Sequence, residues 1–197
     1  MNFLSIEVYE ARRQSRFQRL LPWLLGLLSI LFGVALAVSL SRFSGQKAGF
    51  YTQVSAKLSD AKAQVETFST NGTWENQANA LLSLIQLDTV MEDGRRFVDS
   101  GISYNYQAGG FDDIADTILF GKEYNGKALC AGFLEDGALS APEREYLQTL
   151  AQDLGRLETA LQKNGQADTG LSIRKFNERT HVFFSKYSDV LSLKLSN

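Results

Sequence analysis

Apolar residues in this chain fall first in one unbroken block and then in stripes. From Leu20 to Leu40, LLPWLLGLLSILFGVALAVSL runs for 21 residues without a charge. At about 1.5 Å per residue a helix of this length covers roughly 32 Å, the thickness of a bilayer's hydrocarbon core. Backbone groups in lipid must be satisfied within the segment, so the block predicts a transmembrane helix. A buried helix of a soluble protein would carry a polar stripe, and this block has none. Pro22 is expected in the first turn, where its missing N–H costs nothing.

The stripes beyond the block have helical spacing almost throughout. Phe50, Val54, Leu58, Ala61, Val65 and Phe68 step by fours and threes along one face of a long helix. Asn71-Gly72 signals a turn, after which Thr73 can cap a second helix carrying Ala78, Leu81, Leu82, Ile85 and further apolar residues to Val98. A third helical region starts at Phe111, with Asp112, Asp113 and Asp116 in or near its first turn, where acids complement the helix dipole. Glycines at 121, 126, 132 and 137 make residues 121–139 short helices or an irregular stretch.

The fourth helix has the clearest start: Ser140 as N-cap, Pro142 near the first helical position and Glu143 as the capping-box acid. Leu147, Leu150, Leu154, Leu157 and Leu161 continue it, and Asn164-Gly165 is expected to end it. A fifth helix places Ile173, Phe176, Phe183, Tyr187 and Val190 on one face. No strand alternation of useful length and no internal repeat is visible. The predicted fold class is all-α, a single transmembrane helix followed by an extracytoplasmic antiparallel bundle of four to five helices.

Charge orients the chain. Arg12, Arg13, Arg16 and Arg19 precede the apolar block, whereas only Arg42 and Lys47 lie close after it. Basic residues favour the cytoplasmic side, so the amino terminus is expected inside and residues 41–197 outside the plasma membrane. The organisation predicted is a basic cytoplasmic tail (1–19), an anchor (20–40) and an extracytoplasmic helical domain (41–197). Ala35-Leu36-Ala37 also reads as a signal-peptidase site, with a cleaved leader as the alternative; the long tail before the block and its continuation to Leu40 favour an uncleaved anchor. Within the anchor Ser29, Gly33 and Ala37 recur every fourth residue, a face on which a second helix can pack closely and the chain form a homodimer.

Composition narrows the chemistry. The chain has 197 residues, 44% of them apolar and 21% charged, with a net charge of −2. That balance is too near neutral to suggest nucleic acid as the main partner. One histidine and one cysteine exclude most multi-ligand zinc sites and any internal disulfide. A Ser–His or Cys–His nucleophile would have to use His181, which shares a polar helix face with Arg174, Glu178 and Ser185. Cys130, among Ala128, Leu129, Ala131 and Phe133, reads as a buried small apolar residue. Paired carboxylates for glycan hydrolysis would come from Asp112, Asp113 and Asp116 or from Glu143 and Glu145, all at helix starts that account for them without catalysis. No calcium loop or phosphate-binding glycine motif is present. No enzyme activity, metal or cofactor is expected. Asn71-Gly72-Thr73 is also a glycosylation sequon, read first as a tight turn.

Tyr104 and Tyr106 lie in the glycine-bounded connection 101–110. Aromatic residues there supply contact area at low entropic cost, so they are the candidate partner-binding loop; folding back onto the helices is the alternative. From Gly137 the sequence Gly-Ala-Leu-Ser-Ala-Pro-Glu-Arg-Glu-Tyr-Leu-Gln-Thr-Leu runs into a leucine-striped helix. That stretch (137–163), with the tail and anchor before it, resembles the amino-terminal region of the YpeB family, membrane proteins of spore-forming bacteria that support a cortex-lytic hydrolase. The family's carboxy-terminal repeat domains would begin where this sequence stops, so the resemblance implies no role that depends on them. Function is therefore expected to be that of an accessory or scaffold protein, held in lipid by its anchor and binding a cell-envelope protein. The alternative is a ligand-sensing extracytoplasmic bundle that signals through a partner.

Overall fold

The computed structural model describes residues 3–98, 110–124 and 127–188. Among them are five helices and two short hairpins: α1 (Phe3–Thr70), α2 (Trp74–Val98), α3 (Gly110–Phe120), β1 (Lys122–Tyr124), β2 (Lys127–Cys130), α4 (Ala141–Leu161), β3 (Gln162–Lys163), β4 (Gln166–Ala167) and α5 (Ile173–Ser188). The chain is thus mostly helical. It divides into two compact units, Met1–Gln46 and Lys47–Asn197.

In the first unit α1 is unbroken, and Pro22 lies inside it rather than in a first turn at Leu20. Its ring removes one backbone donor from the helix interior without ending the helix. The apolar block is exposed, with Trp23 at 80%, Ile30 at 69% and Phe32 at 71%. Among the described residues α1 is the one helix long and apolar enough to cross a membrane.

The second unit is built on the carboxy-terminal third of α1. All six stripe residues from Phe50 to Phe68 are buried, and α2, α3, α4 and α5 contribute to the same core. Polar groups tie the layers. Lys57 Nζ donates to Gln86 Oε1 at 2.6 Å, Gln162 Nε2 to Ser55 Oγ at 3.2 Å, and Arg144 to the carbonyls of Ser69 and Thr70 at 3.2 and 3.4 Å. The last pair caps the free carbonyls at the end of α1 with a cation from the start of α4.

The turn at Asn71-Gly72 forms as its sequence predicts, and Thr73 Oγ1 accepts from Asn76 N at 3.2 Å to cap α2. The phase of α2 differs from expectation. Ala80, Leu84, Leu87 and Met91 are buried, whereas Leu82 and Ile85 remain 54% and 45% exposed. The helix carries two apolar faces, and hydrophobicity alone gives no basis for choosing between them. Gly94 lets it approach α1: a Cβ there would lie 2.1 Å from the Phe50 ring. The amino terminus of α3 is capped from another helix, the buried Asp88 of α2 accepting from Phe111 N at 3.1 Å.

Residues 121–139, expected to be short helices or irregular, instead begin with the antiparallel β1–β2 hairpin, bulged between Lys122 and Glu123. The following turn is held by Gln77 Nε2, which donates to Phe133 O at 3.1 Å. The capping box of α4 is complete, with Ser140 N donating to Glu143 Oε2 at 2.6 Å and Glu143 N to Ser140 Oγ at 3.4 Å. Asn164-Gly165 does not simply end α4. Both residues have positive φ, 55° and 77°, and turn the β3–β4 hairpin, as a two-residue connection of right twist requires.

Leu154 is fully buried at the centre of the α4 stripe. Leu154→Ala should cost about 2–5 kcal/mol through lost transfer energy and a residual cavity. Gln152→Ala, two residues away on the exposed face, should stay within about 0.5 kcal/mol. Denaturant melts of residues 47–197 carrying each change measure the difference.

Candidate functional site

The densest polar constellation in the second unit lies between α4 and α5. The pairs Asp153–Lys186 and Ala160–Arg179 show that the two helices run antiparallel. Asp153 sits between Leu150 and Leu154 on the buried stripe and is itself only 4% exposed. A carboxylate taken out of water must be paired and hydrogen-bonded, and this one is. Lys186 Nζ donates to both its oxygens at 2.9 and 3.0 Å, Arg156 to Oδ1 at 2.9 Å and Tyr187 Oη to Oδ2 at 3.1 Å. The carboxylate thus engages both its oxygens. It holds two cationic side chains beside a groove.

That groove has a volume of about 390 Å³ and runs along both helices. Leu157 and Phe183 form its buried floor, while Val182 stands 66% exposed at one edge. Arg156, Arg179 and Lys186 bring positive charge to it; of its two carboxylates, Asp153 is engaged as above and Glu178 pairs with Arg174 at 2.8 Å. Arg179 donates to the Ala160 carbonyl, a neutral partner. Burial, and then the neighbouring Asp153 carboxylate, push the Tyr187 phenol well above its ordinary range.

A second feature is apolar. Besides Leu82 and Ile85, Trp74 at the start of α2 is 62% exposed, and at the end of α3 Leu119 and Phe120 are 43% and 74% exposed. Trp74, Ala78, Leu82 and Ile85 are spaced by four, four and three, so they share the face of α2 opposite the core.

The residues singled out by sequence are placed as follows. Tyr104 and Tyr106 lie outside the described residues. Ser29, Gly33 and Ala37 are exposed on α1; the Ser29 hydroxyl donates to Leu25 O at 2.8 Å, and a Cβ at Gly33 would meet nothing within 4 Å. His181 is half-buried, less exposed than Arg174, Glu178 and Ser185 on its face, and its Nδ1 is buried without a hydrogen-bond partner among the described residues. Cys130 is half-buried rather than buried, its thiol pushed up chiefly by desolvation. Asp112, Asp113 and Asp116 are exposed, and Glu143 is engaged in the α4 cap. Among the described residues no cluster of histidine, cysteine and carboxylate side chains could hold a metal. Sequence reasoning missed Asp153 and Arg179, which acquire meaning only when α4 and α5 meet. No family model, curated protein or solved structure matches the chain.

Asp153→Ala should destabilise the domain by about 1–3 kcal/mol, because Tyr187 and two partly exposed cations lose their acceptor. A double-mutant cycle with Tyr187→Phe should return a coupling of about 0.5–1.5 kcal/mol. Additive losses would remove the hydrogen bond from the energetics. The phenol also predicts a pH dependence. Its folded pKa exceeds its unfolded value of about 10, so its stabilisation is complete below that pH and is lost as pH rises toward the folded value. The unfolding free energy should therefore fall above about pH 10, and fall less steeply in Tyr187→Phe.

Proposed function

We propose that the chain is a single-pass plasma-membrane protein, anchored through residues 20–40 with its amino terminus in the cytoplasm. Residues 41–197 form an extracytoplasmic antiparallel helical bundle that acts as an accessory or scaffold by binding a protein of the cell envelope. The observation that carries this reading is the second apolar face of α2. Folding leaves Trp74, Leu82 and Ile85 in water after the core is complete, and contiguous apolar surface of that kind suits a protein partner. The arginines before the apolar block support the orientation. The likeness of residues 137–163 to the YpeB family supports an accessory role. Ser29, Gly33 and Ala37 form the face on which two anchors would pair into a homodimer.

Photo-crosslinking in intact cells tests the reading. A crosslinking residue at position 82 or 85 should give a discrete adduct with an envelope protein, and one at the exposed position 152 should not. Leu82→Glu should weaken capture of that protein by about 1–4 kcal/mol while leaving the melting temperature nearly unchanged. Equal adducts from positions 82 and 152 would contradict a docking face. An extracytoplasmic reporter fused after Asn197 should be active; activity of a cytoplasmic reporter instead would reverse the orientation.

A further inference from the structure

We propose that the groove between α4 and α5 binds a free fatty acid, taking its carboxylate at Arg179 and its acyl chain along Leu157 and Phe183. The inference stands apart from the partner-binding reading, since it uses a different surface.

Charge selects the head group. The buried Asp153 is answered by two cations, Arg156 and Lys186, so its own charge is already met. Glu178 is tied to Arg174 at 2.8 Å. Arg179 has no carboxylate within ion-pair distance among the described residues, and its one hydrogen bond there goes to the Ala160 carbonyl. That bond pins the guanidinium at the groove and leaves further N–H donors for a planar anion. A side chain fixed beforehand surrenders less entropy when the ligand arrives.

The remaining surface selects the tail. The floor is Leu157 and Phe183, Val182 forms an exposed aliphatic edge, and the stems of the cationic side chains add apolar area. About 390 Å³ falls at the lower end of the usual range for small-ligand sites, roughly 300–1,000 Å³. That space suits one chain of medium length rather than the two chains of a bilayer lipid. A ligand with one anionic end and one flexible apolar tail satisfies both demands, and a purely polar metabolite satisfies only the first.

The test uses the full chain in nanodiscs with decanoate carrying a terminal diazirine; adducts are located by mass spectrometry after irradiation. Labelling is expected on the α4 and α5 peptides containing Leu157 and Val182, and excess unlabelled decanoate should compete it away. Arg179→Gln should reduce it at least about tenfold, in line with the loss of a charged hydrogen bond. Val182→Asp, an exposed position that leaves the core intact, should reduce it as well, whereas Lys163→Gln, an exposed cation outside the groove, should not. Adducts confined to residues 20–40 would overturn the proposal. So would equal labelling by the matching diazirine alcohol, which lacks the anion, or competition by decyl phosphate and not by decanoate.

Discussion

A single helix face organises the second unit. Phe50, Val54, Leu58, Ala61, Val65 and Phe68 lie on one side of α1 and are almost completely buried, and every other helix of the unit adds side chains to the cluster they begin. Fully burying a large apolar side chain stabilises a fold by about 1.5–3 kcal/mol, and five of these six, all but Ala61, are of that size. The same helix carries an exposed apolar block between Trp23 and Leu40. One covalent element therefore carries two opposite burial problems. The core solves the later one, and lipid, in our proposal, solves the earlier.

Polar contacts then fix how the other elements sit on that spine. Asp88 caps α3 from α2, Gln77 holds the turn at Phe133, and Arg144 closes the end of α1. Each joins residues far apart in sequence, and each satisfies a backbone group that burial would otherwise leave costly. Asp153 does the same for side chains, drawing Lys186 and Tyr187 of α5 onto α4. Against this economy stand the Tyr51 hydroxyl, both amide atoms of Asn177 and His181 Nδ1, buried without hydrogen-bond partners among the described residues. Such groups forfeit their hydration, and α5 bears two of the three residues.

Local signals were legible where one pattern had one solution. The α1 and α4 stripes have a single apolar face each, so their burial follows from spacing. The capping box at Ser140 and Glu143 needs only residues three apart. The buried face of α2 is ambiguous in sequence because Ala78, Leu82 and Ile85 form a stripe as regular as Ala80, Leu84, Leu87 and Met91, and only packing decides between them. Asn164-Gly165 can end a helix or turn a hairpin; the pairing of Gln162 with Ala167 settles it. Asp153 was invisible for a related reason. An acid between Leu150 and Leu154 reads as solvent-facing until Lys186, 33 positions on, arrives beside it. The groove and the Arg179 guanidinium at its edge belong to that same meeting of helices. They could not have been read from either segment alone.

The dependence of the whole unit on the α1 face is open to one direct measurement, amide hydrogen exchange of the full chain in nanodiscs. If α1 is the spine, peptides within 50–68 should exchange as slowly as those within 147–161 of α4, and both should lose protection together as denaturant is added. Fast exchange across 50–68 while α4 and α5 stay protected would contradict the account, because the remaining helices would then hold a core without the face we assign as its foundation.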